Sequence, residues 1–81
     1  MKIIVHYHKT LADRIGNARE EISPAKNITV KDLLELLNKR HPHLKGLISA
    51  SLVSVNQTYA KPGALLVDGD DVNLIPPLSG G

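Results

Sequence analysis

The chain has 81 residues, 42% of them apolar, and a formal net charge of +2, which suits one small domain with an aliphatic core and leaves little room for an internal active site. Cysteine, phenylalanine and tryptophan are absent, so disulfides, thiolate catalysis and cysteine-ligated metals are excluded, and a reducing compartment fits. No signal peptide is visible behind Met1-Lys2, no apolar stretch approaches the ~20 residues of a bilayer span, and the basic residues are scattered without aromatic interleaving; neither membrane nor nucleic acid is expected as a partner.

Lys2 to His8 alternates as a strand, with Ile3, Val5 and Tyr7 on one face and Ile4, His6 and His8 on the other. Thr10 to Ile15 suits a short helix closed by Gly16. Ala18 to Ile22 suits a second strand, followed by a loop at Ser23-Pro24-Ala25-Lys26-Asn27. Thr29 to Arg40 is the clearest element. Thr29 and Asp32 stand as a capping pair, and Val30, Leu33, Leu34 and Leu37 form the apolar stripe of a half-buried helix. Lys39 and Arg40 suit its last turn, and Pro42 ends it.

The spacing predicts a short helical turn within His43 to Ser51 and a third strand over Leu52 to Val55, with Val53 and Val55 inward. Asn56-Gln57-Thr58 is expected to turn, and Tyr59-Ala60 to pair back. Lys61-Pro62-Gly63 reads as a loop and Asp68-Gly69-Asp70 as a turn. Val72 to Ile75 closes the series, Val72 and Leu74 on one face, Asn73 and Ile75 on the other. One long helix must cover one sheet face, which predicts an α+β roll. Pro76-Pro77 then favours extended backbone, leading to Leu78-Ser79-Gly80-Gly81. Two glycines leave a carboxylate sterically open and can thread a channel too narrow for side chains. The tail reads as a reactive handle, and the chain offers no base or electrophile to work on it.

These residues resemble a known family. Asp68-Gly69-Asp70-Asp71-Val72 followed by Ile75-Pro76-Pro77-Leu78-Ser79-Gly80-Gly81 is similar to the C-terminal signature of the MoaD family, the small subunits of molybdopterin synthase, which stand with the thiamine carrier ThiS among the ubiquitin-like sulfur carriers. Val55-Asn56-Gln57 resembles the family's mid-chain turn, Thr29 to Leu34 its helix start, and the first strand through Gly16 its N-terminal segment. The resemblance spans the chain and implies a ubiquitin-like β-grasp, a mixed sheet with one main helix packed on one face. The domain would cover residues 1–75 and a flexible tail residues 76–81.

The resemblance also implies a chemistry, in the cytoplasm and with no cofactor held permanently. A MoeB-like adenylating enzyme, related to ubiquitin-activating enzymes, uses ATP-Mg to convert the Gly81 carboxylate to an acyl-adenylate. A sulfur donor, a rhodanese or a cysteine desulfurase, converts that to a thiocarboxylate. A MoaE-like large subunit, which would hold the active site, then passes the sulfur to cyclic pyranopterin monophosphate. Gly81 would carry the sulfur, with Ser79 and Gly80 forming the thin tail. Partner contacts are implied near His8, Tyr59 and Ile75, continuing through Pro76, Pro77 and Leu78. The chain departs from the family's habit late in the first strand, where aromatics are common and Tyr7 and His8 stand, at Leu78, where valine or isoleucine is common, and in its pI of 9.1. Other outcomes of the same tail are sulfur delivery to thiamine or tRNA, isopeptide attachment to lysines as a protein modifier, or a plain interaction module. His6 and His8 share a strand face and His41 and His43 flank Pro42, but no carboxylate or cysteine pattern completes a ligand set, so no metal site is expected.

Overall fold

The period-two pattern of the first strand is realised in β1, Ile3–Tyr7, where Ile3, Val5 and Tyr7 are buried and the residues between them are half-buried. The computed structural model describes residues 1–77. α1, Lys9–Ile15, follows and is closed by Gly16 in the left-handed region at φ +88, its N–H donating to the Ala12 carbonyl. β2, Arg19–Ile22, returns antiparallel to β1.

α2 spans Val30–Arg40. Its start is fixed by a reciprocal cap: the Thr29 hydroxyl accepts from the Asp32 N–H at 3.2 Å and the Asp32 carboxylate accepts from the Thr29 N–H at 3.0 Å. Val30, Leu33 and Leu37 are buried on its inner side, and Leu34 packs beside them. After it come a 3-10 turn at Pro42–Leu44 and α3, Lys45–Ala50. The sequence predicts only a short helical turn here; the structure builds nearly two. Pro42 suits the first turn, where its missing N–H leaves nothing unpaired, and Leu44 and Ile48, four residues apart, are both buried.

β3, Leu52–Val55, and β4, Thr58–Tyr59, form a hairpin. Its two linking residues, Asn56 and Gln57, both lie at positive φ, 51 and 71, as a tight hairpin turn of the right twist requires. β5, Asp71–Ile75, follows a turn whose Gly69 sits at φ +89. The sheet order is β2-β1-β5-β3-β4. β1 and β5 run parallel at its centre, and the other neighbours are antiparallel. This is the mixed sheet with one helix layer that the family resemblance implies. Its core joins Val5, Val53, Val72 and Leu74 to Leu33 and Leu37 of α2.

Two features correct or extend the sequence reading. Pro76, assigned to the tail from the sequence, is buried, and exposure begins at Pro77. Glu20 of β2 gathers a polar cluster across the sheet edge. The Tyr7 hydroxyl donates to it at 2.6 Å, Arg40 pairs with its other oxygen, and the His41 ring stands 3.2 Å away. Burial, then the Glu20 carboxylate, pushes the Tyr7 phenol well above its ordinary range. Burial works against ionisation of Glu20, but the hydrogen bonds from Tyr7, Arg40 and His41 outweigh it and hold the carboxyl below its usual value.

A carboxylate depressed in the folded state stabilises above its unfolded pKa and loses that contribution as pH falls through the folded pKa. Glu20→Gln is therefore expected to cost about 1–2 kcal/mol at pH 7, read by urea unfolding. The gap to wild type should close progressively below about pH 4.5, where the unfolded carboxylate takes up its proton. An equal gap at pH 7 and in strong acid would remove the charge-based role of this cluster.

Candidate functional site

Pleating sorts the strand residues onto two faces. The face turned to the helices holds the core. On the other, the register makes cross-strand rows. His6 lies beside Asn73, Asn73 beside Ser54, and Ser54 beside Tyr59; Ile4 lies beside Asp71, and Ile75 beside Leu52. One step beyond the Tyr7–Leu74 pair, the His8 N–H donates to the Leu74 carbonyl at 3.2 Å, which brings His8 next to Ile75.

The residues singled out from the sequence fall as follows. His8 is exposed at the start of α1, its Nε2 2.7 Å from the Asn73 Oδ1. Tyr59 is 72% exposed on β4. Ile75 is half-buried at the end of β5, with the opposite parity to buried Val72 and Leu74, as its sequence position predicts. His8, Ile75 and Tyr59 thus share one face. Pro76 is buried and Pro77 exposed at the end of that face. Leu78, Ser79, Gly80 and Gly81 lie outside the described residues.

One member of the face went unread in the sequence. Leu52, directly opposite Ile75, is 57% exposed. Its outward parity followed from Val53 and Val55 pointing in, but parity says nothing about whether another layer covers a residue. With Ile75 and Tyr59 it makes a contiguous apolar area of a kind that marks interaction sites on small proteins.

The position of that area depends on a buried polar clasp. Asp70 is only 6% exposed. One of its oxygens accepts from the Asn56 amide at 2.9 Å and the other from the Val67 N–H at 2.8 Å. The Asn56 Oδ1 accepts from the Asp71 N–H at 3.0 Å, and the Asn56 N–H donates to the Asp71 carbonyl at 2.8 Å. The clasp ties the β3–β4 turn, which carries Tyr59, to the start of β5, which carries Ile75. The sequence marks Asp70 only as a turn residue. Its burial is visible only once β3 and β5 are paired.

Among the described residues no group of three histidine, aspartate or glutamate side chains is placed to hold a metal ion, and no helix is long and apolar enough to cross a membrane. What the site offers is a surface: an apolar strip along β5, β3 and β4, a row of polar side chains beside it, and β5 leading toward the glycines.

The ThiS family matches residues 5–81. A protein of Chlamydomonas reinhardtii named molybdopterin synthase sulfur carrier subunit is 32% identical over 83 aligned positions, covering all of both chains. The human protein of the same name is 31% identical, covering 99% of this chain and 94% of its own length. Among solved structures, small archaeal modifier protein 1 of Haloferax volcanii superposes with a TM-score of 0.86 at 26% identity over the full length of both chains. Its likeness extends the ubiquitin-like β-grasp reading from strand order to the whole backbone. With the family match, the full-length relatives and the shared fold taken together, the chain belongs to the ThiS family, alongside the sulfur carrier subunits of molybdopterin synthase.

Proposed function

We propose that the chain is the sulfur-carrying small subunit of a molybdopterin synthase and that it works through the carboxylate of Gly81. The observation that carries this reading is the end-to-end match to sulfur carrier subunits at 31–32% identity, on a chain ending Pro-Pro-Leu-Ser-Gly-Gly. A free α-carboxylate has a pKa of about 3.3–3.7 and is ionised at neutral pH, hence a poor acyl donor. A MoeB-like enzyme with ATP-Mg would join it to AMP and release pyrophosphate. The outer sulfur of a persulfide on a rhodanese or cysteine desulfurase would attack the acyl-adenylate and displace AMP, and a thiol reductant would cleave the resulting acyl disulfide to leave a thiocarboxylate. A MoaE-like large subunit, in the cytoplasm, would pass that sulfur to the pterin precursor, and water would take its place at the Gly81 carbonyl to regenerate the carboxylate. The test is reconstitution with those components, followed by an intact mass: an oxygen-for-sulfur gain at the terminus supports the carrier role, and its absence removes it.

Docking on the large subunit would use the apolar strip. Ile75→Asp is expected to weaken binding by more than about tenfold, about 1.4 kcal/mol, with little change in melting temperature. Calorimetric titration showing unchanged affinity, or a variant that fails to fold, would overturn the docking role.

A second reading is a protein modifier, and the likeness to a small archaeal modifier protein favours it. Here the activated Gly81 carbonyl would be captured by a lysine amine of another protein. The two readings part at the terminus recovered from cells: a thiocarboxylate, or an amide to lysine.

A further inference from the structure

Beside the apolar strip, on the same sheet face, lies a shallow polar groove lined by His6, His8, Asn56, Gln57, Asp71 and Asn73. Its side chains leave acceptors open at Asp71 and at the histidine rings, beside the Asn73 and Gln57 amides, which carry donors as well. The Asp71 carboxylate takes one bond, at Oδ1, from the His6 Nε2 at 3.1 Å, so that nitrogen carries the proton. The Asn73 Oδ1 takes one from the His8 Nε2 at 2.7 Å. With Nε2 donating, the Nδ1 of each ring in its neutral form is an acceptor. Both ends of the Asn56 amide are occupied, one by Asp70 and the other by the Asp71 N–H. Among the described residues the second oxygen of Asp71 has no partner, on a side chain 57% exposed. The basic groups nearest in register are engaged elsewhere: Arg19 and Lys2 both lie against Glu21, at 3.5 and 4.0 Å. Among the described residues, Asp71 has His6 as its ion-pair partner and no lysine or arginine.

From this we infer that the groove receives an arginine side chain of the large subunit, with Asp71 as its anchor. The inference rests on the docking reading and deepens it by naming the partner's chemistry. A guanidinium carries five donors and no acceptor, in a flat fork that suits a carboxylate. A lysine would supply charge but not the spread of donors needed to reach Asp71 and a ring nitrogen together. The groove is continuous with the strip of Leu52, Tyr59 and Ile75, so one partner surface would cover both. The apolar part supplies burial, and the groove supplies register and choice of partner.

The test is calorimetric titration of the full chain against the purified large subunit from the same organism, at about 50 and about 300 mM salt, where screening differs several-fold. Wild type should weaken as salt rises. Asp71→Asn keeps the shape and removes the charge; it should bind at least about tenfold more weakly at low salt, lose most of the salt response and keep its melting temperature. Asp71→Glu, which restores the charge, should recover most of the affinity. If Asp71→Asn binds like wild type with the same salt response while Ile75→Asp still weakens binding, the groove is solvent-filled and this inference is overturned, with docking intact. If wild-type binding is indifferent to salt, the anchor is likewise overturned without recourse to a variant. If wild type does not bind the large subunit, the docking reading itself falls and takes this inference with it.

Discussion

Deleting Gly81 is expected to abolish pterin sulfuration while leaving the fold's melting temperature unchanged. The deletion shortens an extended chain by about 3.3–3.6 Å, whereas a displacement of about 1 Å at a reacting centre can already cost ~100-fold in rate. One residue added after Gly81 moves the carboxylate by the same step in the other direction, and Gly80→Val puts a branched side chain where the tail must thread. Stability should not respond, because the core cluster is drawn from Ile3 through Leu74. Terminal mass after reconstitution, followed by molybdopterin formation, reads the outcome. Wild-type turnover by the deletion variant would remove Gly81 from the chemistry and leave an interaction module.

Leu37→Ala is expected to cost about 2–5 kcal/mol, as for a fully enclosed leucine whose neighbours collapse only in part. Leu37 has no exposed surface and lies in one cluster with Val5, Val53 and Val72. For a chain of this size, each kcal/mol moves the melting temperature by roughly 4–8 °C, so the variant should melt at least about 8 °C early. Glu35→Ala, two residues away on the exposed side of the same helix, should stay within about half a kcal/mol. A loss that small at Leu37 would mean the helix presents a different face to the sheet.

What could be read from the residues alone was whatever repeats locally. α2 announced itself through the Thr29–Asp32 cap and the stripe of Val30, Leu33 and Leu37, and all of these are found in place. The faces of β1 and β5 followed from alternation, which is how Ile75 could be set apart from Val72 and Leu74. Residues whose role is made by distant parts of the chain stayed unread. Glu20 looked like one more strand residue, yet it is held by Tyr7, Arg40 and His41 from two other elements. Asp70 looked like a turn, yet it fastens Asn56 across the sheet. Pro76 was assigned to the tail through the family resemblance and its extended backbone; neither says whether the residue is buried, and it is. Of the candidate site, the tail was legible as a motif, and the chemistry proposed for it came from the family resemblance. The surface around it was legible only in part, since Leu52 and the polar groove exist only through strand pairing.

β1 and β5 are neighbours although they stand at opposite ends of the described chain, paired from Ile4↔Asp71 to Tyr7↔Leu74. Without β5, β1–β2 and β3–β4 are two separate ribbons, and an isolated two-stranded ribbon is marginal in water at best. Synthesis that halts before residue 71 therefore yields no partially working product, only a chain unable to join its halves. Long-range pairing of this kind also sets a slow clock for folding relative to helical domains of the same length. Every chain that has been made far enough to include residues 76–81 also includes the strand that locks the sheet, so the cell cannot produce that segment without also producing the means to fold what carries it.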